Sequence, residues 1–241
     1  MYLNKLTFRP QDYPVYDIYP FSLDVFNKSR SLIFDTMITF FCGENGSGKS
    51  TLLKAITKCC GIYIWKEYGK TRFIYNPYEE ELYRYIDIEW AGGKKPGAYF
   101  SAESYEHLAS IIDDWASCDP GLLDYFGGKS LITQSHGESF MSFFKSRYKI
   151  EGIYFIDEPE TALSPRRQLE FLRLLSRMSS DGHAQFVIAT HSPILLSCPG
   201  AKIISFDGEH LKPIPYEETD YFRIYRGFLL DRETYLKDLD G

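Results

Sequence analysis

Met37-Ile38-Thr39-Phe40-Phe41-Cys42 runs directly into Gly43-Glu44-Asn45-Gly46-Ser47-Gly48-Lys49-Ser50-Thr51. The first six residues read as a short buried strand, and Ser50–Cys60 reads as a helix stopped by Gly61. The intervening residues satisfy G-x-x-x-x-G-K-[ST]. Glycines let successive backbone N–H groups curl round a phosphate, and a helix N-terminus adds partial positive charge behind them. In such a cradle Lys49 bridges phosphate oxygens, Ser50 ligates Mg2+, and Thr51 reaches the α-phosphate. Strand, glycine-rich turn and helix together imply a nucleotide-binding α/β fold, with Gly43, Glu44, Asn45, Gly46, Ser47, Gly48, Lys49, Ser50 and Thr51 as its contacts.

Downstream, Ile153-Tyr154-Phe155-Ile156-Asp157-Glu158 is an apolar strand ending in two carboxylates. Asp157 suits a Mg2+ ligand beside Ser50, and Glu158 suits a general base that polarises the attacking water. A further strand, Gln185–Thr190, ends at His191. Parallel strands align their C-terminal ends, so His191 is expected to approach the same phosphate. Ser192-Pro193 also reads as a helix cap followed by a first-position proline, and the two roles are compatible.

Around these motifs the chain alternates strand and helix. Ser164-Pro165 opens a helix to about Met178, with Leu169, Leu172 and Leu175 expected on its buried face. Ala201–Phe206 and Leu211–Ile214 flank Asp207-Gly208 as a hairpin. Residues 1–36, rich in Tyr, Pro and Asp, read as irregular. Residues 62–130 mix short strands (Tyr83–Trp90, Gly97–Phe100) with a helix at His107–Trp115, and suggest a small antiparallel inserted lobe. No heptad run is present, so no coiled coil is expected. The expected architecture is a mainly parallel sheet flanked by helices, in one domain spanning 1–241.

Composition fits that expectation. The chain has 241 residues, 44% hydrophobic and 25% charged, enough for one sizeable packed core. A net charge of −6 excludes a globally basic nucleic-acid binder. The five cysteines form no CxxC pair and are read as reduced core or near-core thiols. No apolar run is long enough to span a membrane and no signal-peptide pattern opens the chain, so a cytoplasmic protein without an integral membrane segment is expected.

The order of these motifs resembles the ABC-type ATPase superfamily. In that resemblance Gly43–Thr51 is the Walker A motif, Ile153–Glu158 the Walker B motif, Glu160–Ser164 the D-loop and His191 the switch histidine. The superfamily signature, usually LSGGQ, would correspond to Gln134-Ser135-His136-Gly137-Glu138, where a histidine replaces the first glycine and Glu138 ends the motif. Ser135-x-x-Glu138 before Phe140, Phe143 and Phe144 is equally a capping box. More closely, the chain is similar to small standalone bacterial ATPases with a Ser-His-Gly-Glu signature, related to RecF and SMC heads. That resemblance rests on Ser135–Glu138, Asp157–Pro165 and Ala189–Leu196, and it extends to Tyr216–Leu239.

The resemblance implies ATP and Mg2+ as ligands and an ATP-dependent homodimer. In it Ser135, His136, Gly137 and Glu138 of one copy reach the nucleotide of the other. Hydrolysis would then act on a protein partner or a nucleic acid. Lys145, Arg147, Lys149, Arg166, Arg167, Arg173 and Arg177 are the local basic residues available to nucleic acid. A transporter subunit and a slow nucleotide-binding regulator are the competing readings. Glu103 either replaces the Q-loop glutamine that contacts Mg2+ or simply opens the following helix. Phe21 and Arg9 are the candidates for adenine contact. With the chain ending at Gly241, no nuclease domain is expected after it.

Overall fold

The computed structural model describes residues 1–65, 76–126, 128–147 and 150–237. In chain order the strands are β1 (Leu3–Phe8), β2 (Ser31–Ile33), β3 (Ile38–Cys42), β4 (Ile86–Trp90), β5 (Gly97–Ser101), β6 (Gly152–Asp157), β7 (Ala184–Ala189), β8 (Lys202–Ser205) and β9 (Lys212–Ile214). The helices are α1 (Asp24–Lys28), α2 (Lys49–Cys59), α3 (Ala102–Cys118), α4 (His136–Arg147), α5 (Pro165–Ser180), α6 (Pro193–Leu196), α7 (Asp220–Leu230) and α8 (Arg232–Leu236). The longest described helix, α3, has 17 residues, so no coiled-coil arm leaves the fold among the described residues.

Six strands form one sheet in the order β5-β6-β7-β3-β8-β9. Its pairings are parallel except for the β8–β9 hairpin. Every residue of β3, β6 and β7 is buried, as expected for parallel strands covered on both faces. Successive side chains alternate between the two layers. Phe40, Tyr154, Ile156, Phe186 and Ile188 pack with Phe140, Phe144, Phe171 and Leu175 from α4 and α5. Phe41, Ile153, Phe155 and Val187 pack on the other side with Leu52, Leu53 and Ile56 of α2.

That second layer also takes the antiparallel sheet, ordered β2-β1-β4. The antiparallel part exists, but two of its three strands come from residues 1–36, which were expected to be irregular. Leu3, Leu6, Phe8 and Leu32 are buried against α2, and this burial draws the segment into strands. Pro10, Pro14 and Pro20 fall outside those strands and do not oppose them. The side chain of Gln185 on β7 locks the two sheets together. Its Oε1 accepts from the N–H groups of Tyr2 and Leu3 at 2.8 Å each, and its Nε2 donates to Leu3 O at 3.0 Å. Of the strands expected within 62–130, β4 joins this sheet while β5 joins the edge of the parallel one.

Four local expectations are corrected. A 3-10 turn occupies Leu82–Tyr85, so the strand begins only at Ile86. On α5 the buried apolar stripe is Phe171, Leu175 and Met178, and Leu169 is exposed. Its neighbour Phe171 occupies the position facing Phe140 and Phe144, with ring centroids at 5.6 and 5.1 Å. Ser164 stands at the N-cap of α5 without a side-chain capping bond, and Pro165 follows at the first position. Cys42, Cys60 and Cys198 are buried, whereas Cys118, at the end of α3, is exposed rather than near the core.

Candidate functional site

Register places the chemistry on one edge. Phe41 pairs with Ala189, and Asp157 pairs with both Ala189 and Ser101. The residues just past these ends are Gly43, Glu158, Thr190 and Ala102, so the cradle, the acidic pair and His191 leave the sheet together. The backbone continues the ladder past the strand ends, with Glu158 N donating to Ala189 O at 2.9 Å and Thr190 N to Phe41 O at 3.0 Å.

The cradle has the backbone its glycines predict. Gly43, Gly46 and Gly48 all have positive φ. A Cβ on Gly48 would lie 2.7 Å from the Phe26 ring and 2.9 Å from Leu23, so the turn is pressed against α1 and the residue before it. Gly46 faces open space. Lys49 is only 4% exposed, and its ammonium donates to the carbonyls of Gly43 and Glu44 at 2.7 and 2.8 Å. Burial pushes its pKa down. Ser47 Oγ is buried with no hydrogen-bond partner among the described residues. A buried cation held by carbonyls alone, beside an unpartnered hydroxyl and a helix N-terminus, fits a phosphate chain.

Ser50 Oγ donates to Asp157 Oδ1 at 2.9 Å, and the Tyr99 phenol donates to Asp157 Oδ2 at 3.0 Å. Asp157 is 6% exposed, and burial pushes its carboxyl up against the lowering effect of Lys54 and the two hydroxyls. A buried carboxylate next to a serine hydroxyl is a hard-oxygen pair of the kind that suits Mg2+. Among the described residues no group of three or more His, Cys, Asp or Glu is placed to hold a metal by itself.

Glu158 follows in the left-handed conformation, φ 48 and ψ 55. For a non-glycine residue this costs about 1–2 kcal/mol, and it turns the carboxylate out of the strand line. Its Oε1 lies 3.5 Å from His191 Nε2. The loop carrying His191 is held by Glu160, whose carboxylate accepts from His191 N at 2.5 Å and from Thr190 Oγ1 at 2.7 Å. Ser192 caps α6 as expected, its hydroxyl accepting from Ile194 N and Leu195 N. Burial first, and the Lys49 ammonium second, hold the His191 imidazolium pKa below its ordinary value.

Several of these contacts were not expected from the sequence: Tyr99 on Asp157, Asp207 on the cradle, and Glu160, expected only as the start of the D-loop, on the His191 loop. Asp207 Oδ1 accepts from Glu44 N at 2.8 Å, tying the hairpin turn to the cradle. Tyr221 on α7 touches both His191 and Gly43.

The adenine candidates are corrected. Phe21 is fully buried among Tyr13, Tyr78 and Tyr85, and Arg9 is paired with Asp12 and Asp87. The aromatic of that segment with a polar contact to the cradle is Tyr19, half-buried, whose hydroxyl meets Thr51 Oγ1.

At the signature, α4 begins at His136 as the capping box requires. The Glu138 carboxylate accepts from Ser135 N at 3.3 Å and from the Ser135 hydroxyl at 2.8 Å. The hydroxyl therefore donates to Glu138, and the box is only half formed. Ser135 and Glu138 are exposed. Gly137 lies against the segment after Glu158, where a Cβ would be 3.1 Å from Ala162 O, and Arg167 reaches Glu138 at 3.5 Å. The side chains of His136 and Glu103 lie outside the described residues; the Glu103 backbone stands at the start of α3, just past the edge that carries Asp157.

A six-stranded mainly parallel sheet, a glycine cradle with a buried lysine, and a serine–aspartate pair beside a glutamate and a histidine match the fold and site layout of ABC-type ATP-binding domains. Comparisons with known proteins agree. A family model described as "AAA domain, putative AbiEii toxin, Type IV TA system" matches residues 139–197. Another, described as "AAA domain", matches residues 23–87. The chain is similar to the thiamine import ATP-binding protein ThiQ of Haemophilus influenzae (strain 86-028NP), 24% identical over 208 residues, 80% of this chain and 88% of the relative.

Among solved structures, cbiO1 from Clostridium perfringens, part of the ABC transporter complex cbiONQ, matches with a TM-score of 0.51 and 16% identity. That match covers 97% of this chain and 98% of the other, and it shows the shared fold. The SMC head domain from Thermotoga maritima aligns at a TM-score of 0.48 and 17% identity, over 89% of this chain and 99% of the other. No described helix is long and apolar enough to cross a membrane.

Proposed function

We propose that the chain binds Mg2+-ATP in the Gly43–Thr51 cradle, hydrolyses it, and couples the cycle to head-to-tail association of two copies. The observation that carries the reading is the bond from Ser50 Oγ to Asp157 Oδ1 at 2.9 Å, formed beside the buried Lys49 and on the edge that bears Glu158 and His191. Lys49 supplies a desolvated positive charge at the cradle floor. Ser50 and Asp157 offer the oxygens for Mg2+, which would neutralise phosphate charge. Glu158 takes the proton of the attacking water as general base, and His191 orients that water.

Ser135, His136, Gly137 and Glu138 act on the nucleotide of the second copy. The exposure of Ser135 and Glu138, with Gly137 packed against Ala162 and Glu138 reached by Arg167 just beyond Glu158, supports a shared face for the signature and the loop after Walker B. The closing motion acts on a protein partner or a nucleic acid. Lys145, Arg173 and Arg177 line one cleft between α4 and α5 with Met141, Leu174 and Glu170, and because Glu170 is paired with Arg167 the remaining charge there favours an anionic partner. Lys149 and the Arg147 side chain lie outside the described residues, and Arg167 is engaged with Glu138 and Glu170.

The test is light scattering after size exclusion. Glu158→Gln with saturating ATP is expected to run as a dimer, and adding Ser135→Arg is expected to return it to monomer. A Glu158→Gln protein that stays monomeric at saturating ATP sinks the head-to-tail mechanism. The similarity to ThiQ favours a second reading, an ATP-binding subunit of a transporter. Recovery of the chain in a detergent-dependent membrane complex would select it.

A further inference from the structure

The Tyr221 phenol stands between the switch histidine and the cradle. Its oxygen is 2.5 Å from His191 Nδ1 and 2.9 Å from the carbonyl oxygen of Gly43. The two rings meet edge to face, centroids 5.4 Å apart at 88°. A phenol carries one proton, and a carbonyl oxygen can only accept. Two oxygens 2.9 Å apart attract only with that proton between them, so the Tyr221 proton goes to Gly43 O. The contact with Nδ1 then requires the imidazole to be the donor.

The opposite arrangement, with the phenol proton on Nδ1, leaves two bare oxygens in contact. Burial pushes the Tyr221 phenol pKa up, so the proton needed for this arrangement stays in place. On the other side of the ring, Nε2 is buried without a hydrogen-bond partner among the described residues, and Glu158 Oε1 lies 3.5 Å away.

We propose that Tyr221 is a positioning residue that holds His191 as the Nδ1–H tautomer, so that Nε2 faces the site with its lone pair free. The inference deepens the hydrolytic reading and rests on it for its consequence. A free Nε2 accepts a hydrogen from the water that Glu158 deprotonates, and it becomes a donor to a phosphate oxygen only after gaining a proton. The same phenol ties α7 to the first residue of the cradle, so displacement of that helix would release both the carbonyl and the tautomer.

The test is 15N-histidine NMR of the nucleotide-free chain at alkaline pH, with the His191 signals identified by their loss in His191→Gln. Wild type is expected to show Nδ1 as the protonated nitrogen and Nε2 as the bare one. In Tyr221→Phe the pattern is expected to shift to Nε2–H or to a mixture. Single-turnover hydrolysis in that variant is expected to fall about tenfold, as loss of one strong hydrogen bond predicts, with ATP affinity within about twofold of wild type. Wild type with Nε2 protonated, or Tyr221→Phe with an unchanged pattern, overturns the proposal. An Nδ1–H pattern in a wild-type chain that does not hydrolyse ATP supports the tautomer and overturns the hydrolytic reading instead.

Discussion

Ser50 Oγ and Asp157 Oδ1, 107 residues apart in sequence, are joined at 2.9 Å. The bond links the start of α2 to the end of β6, and it prepositions two oxygens for a cation. Asp157→Asn is expected to weaken the Mg2+-dependent part of ATP binding about tenfold to a hundredfold. Binding measured in EDTA should hardly change. Because burial raises the Asp157 carboxyl pKa, the neutral asparagine should leave the nucleotide-free unfolding midpoint equal or higher. Titration calorimetry with and without Mg2+ checks the first expectation. Equal losses in both conditions would count against a metal role.

Glu158 trades stability for position. With φ at 48 it occupies a conformation natural to glycine. Glu158→Gly should therefore raise stability by about 1 kcal/mol in urea melts while reducing turnover by at least about a hundredfold. A variant that is both less stable and inactive would show that the carboxylate has a structural partner.

The two inner glycines of the cradle should differ in their tolerance. At Gly46 an added Cβ meets nothing within 4 Å, so Gly46→Ala carries only the backbone cost, about 1 kcal/mol. At Gly48 the Cβ would press on Phe26 and Leu23, adding an overpacking cost of about 1–3 kcal/mol. Denaturant melts of the two variants should separate them in that order; equal losses would contradict the tight approach of the turn to α1.

His191 makes stability depend on pH in a definite direction. Its folded pKa lies below the ordinary 6.5, so as pH falls the unfolded chain takes the proton first. The contribution is fully present above that value and is lost as pH falls through 6.5 towards the folded pKa. The drop in urea midpoint on going from about pH 7.5 to about pH 5.5 should be larger in wild type than in His191→Gln. An equal drop in both proteins would remove His191 from the acid response.

The chemistry that was legible in the sequence is the part built from neighbouring residues. Gly43–Thr51, Asp157-Glu158 and His191 each sit at a strand end whose apolar run announces it, and parallel register does the rest. Tyr99, Asp207 and Tyr221 were not legible as site residues, and Glu160 was legible only as the start of the D-loop, not as the anchor of the His191 loop. Each acts across a sequence separation that no local pattern spans. Tyr99 had a signal, because a strand paired beside β6 must place some residue against Asp157.

Burial, not propensity, made strands of residues 1–36. β1 lacks clean alternation and is followed by prolines, so nothing local marks it. On α5 a leucine count favoured Leu169, whereas the aromatic Phe171 fills the space beside Phe140 and Phe144.

β3, the strand that ends in the cradle, has β7 and β8 as its neighbours, both from the last third of the chain. During synthesis the cradle sequence emerges long before either neighbour, and non-local parallel pairing is slow to form. The Gln185 clamp delays the amino-terminal strands in the same way, since Tyr2 waits for a partner 183 residues later. A nascent chain stopped before Ala184 would carry the whole glycine motif with no sheet to hold it. Nucleotide binding is therefore acquired late, when β7 and β8 close around β3, and a fragment that ends earlier should be inert towards ATP.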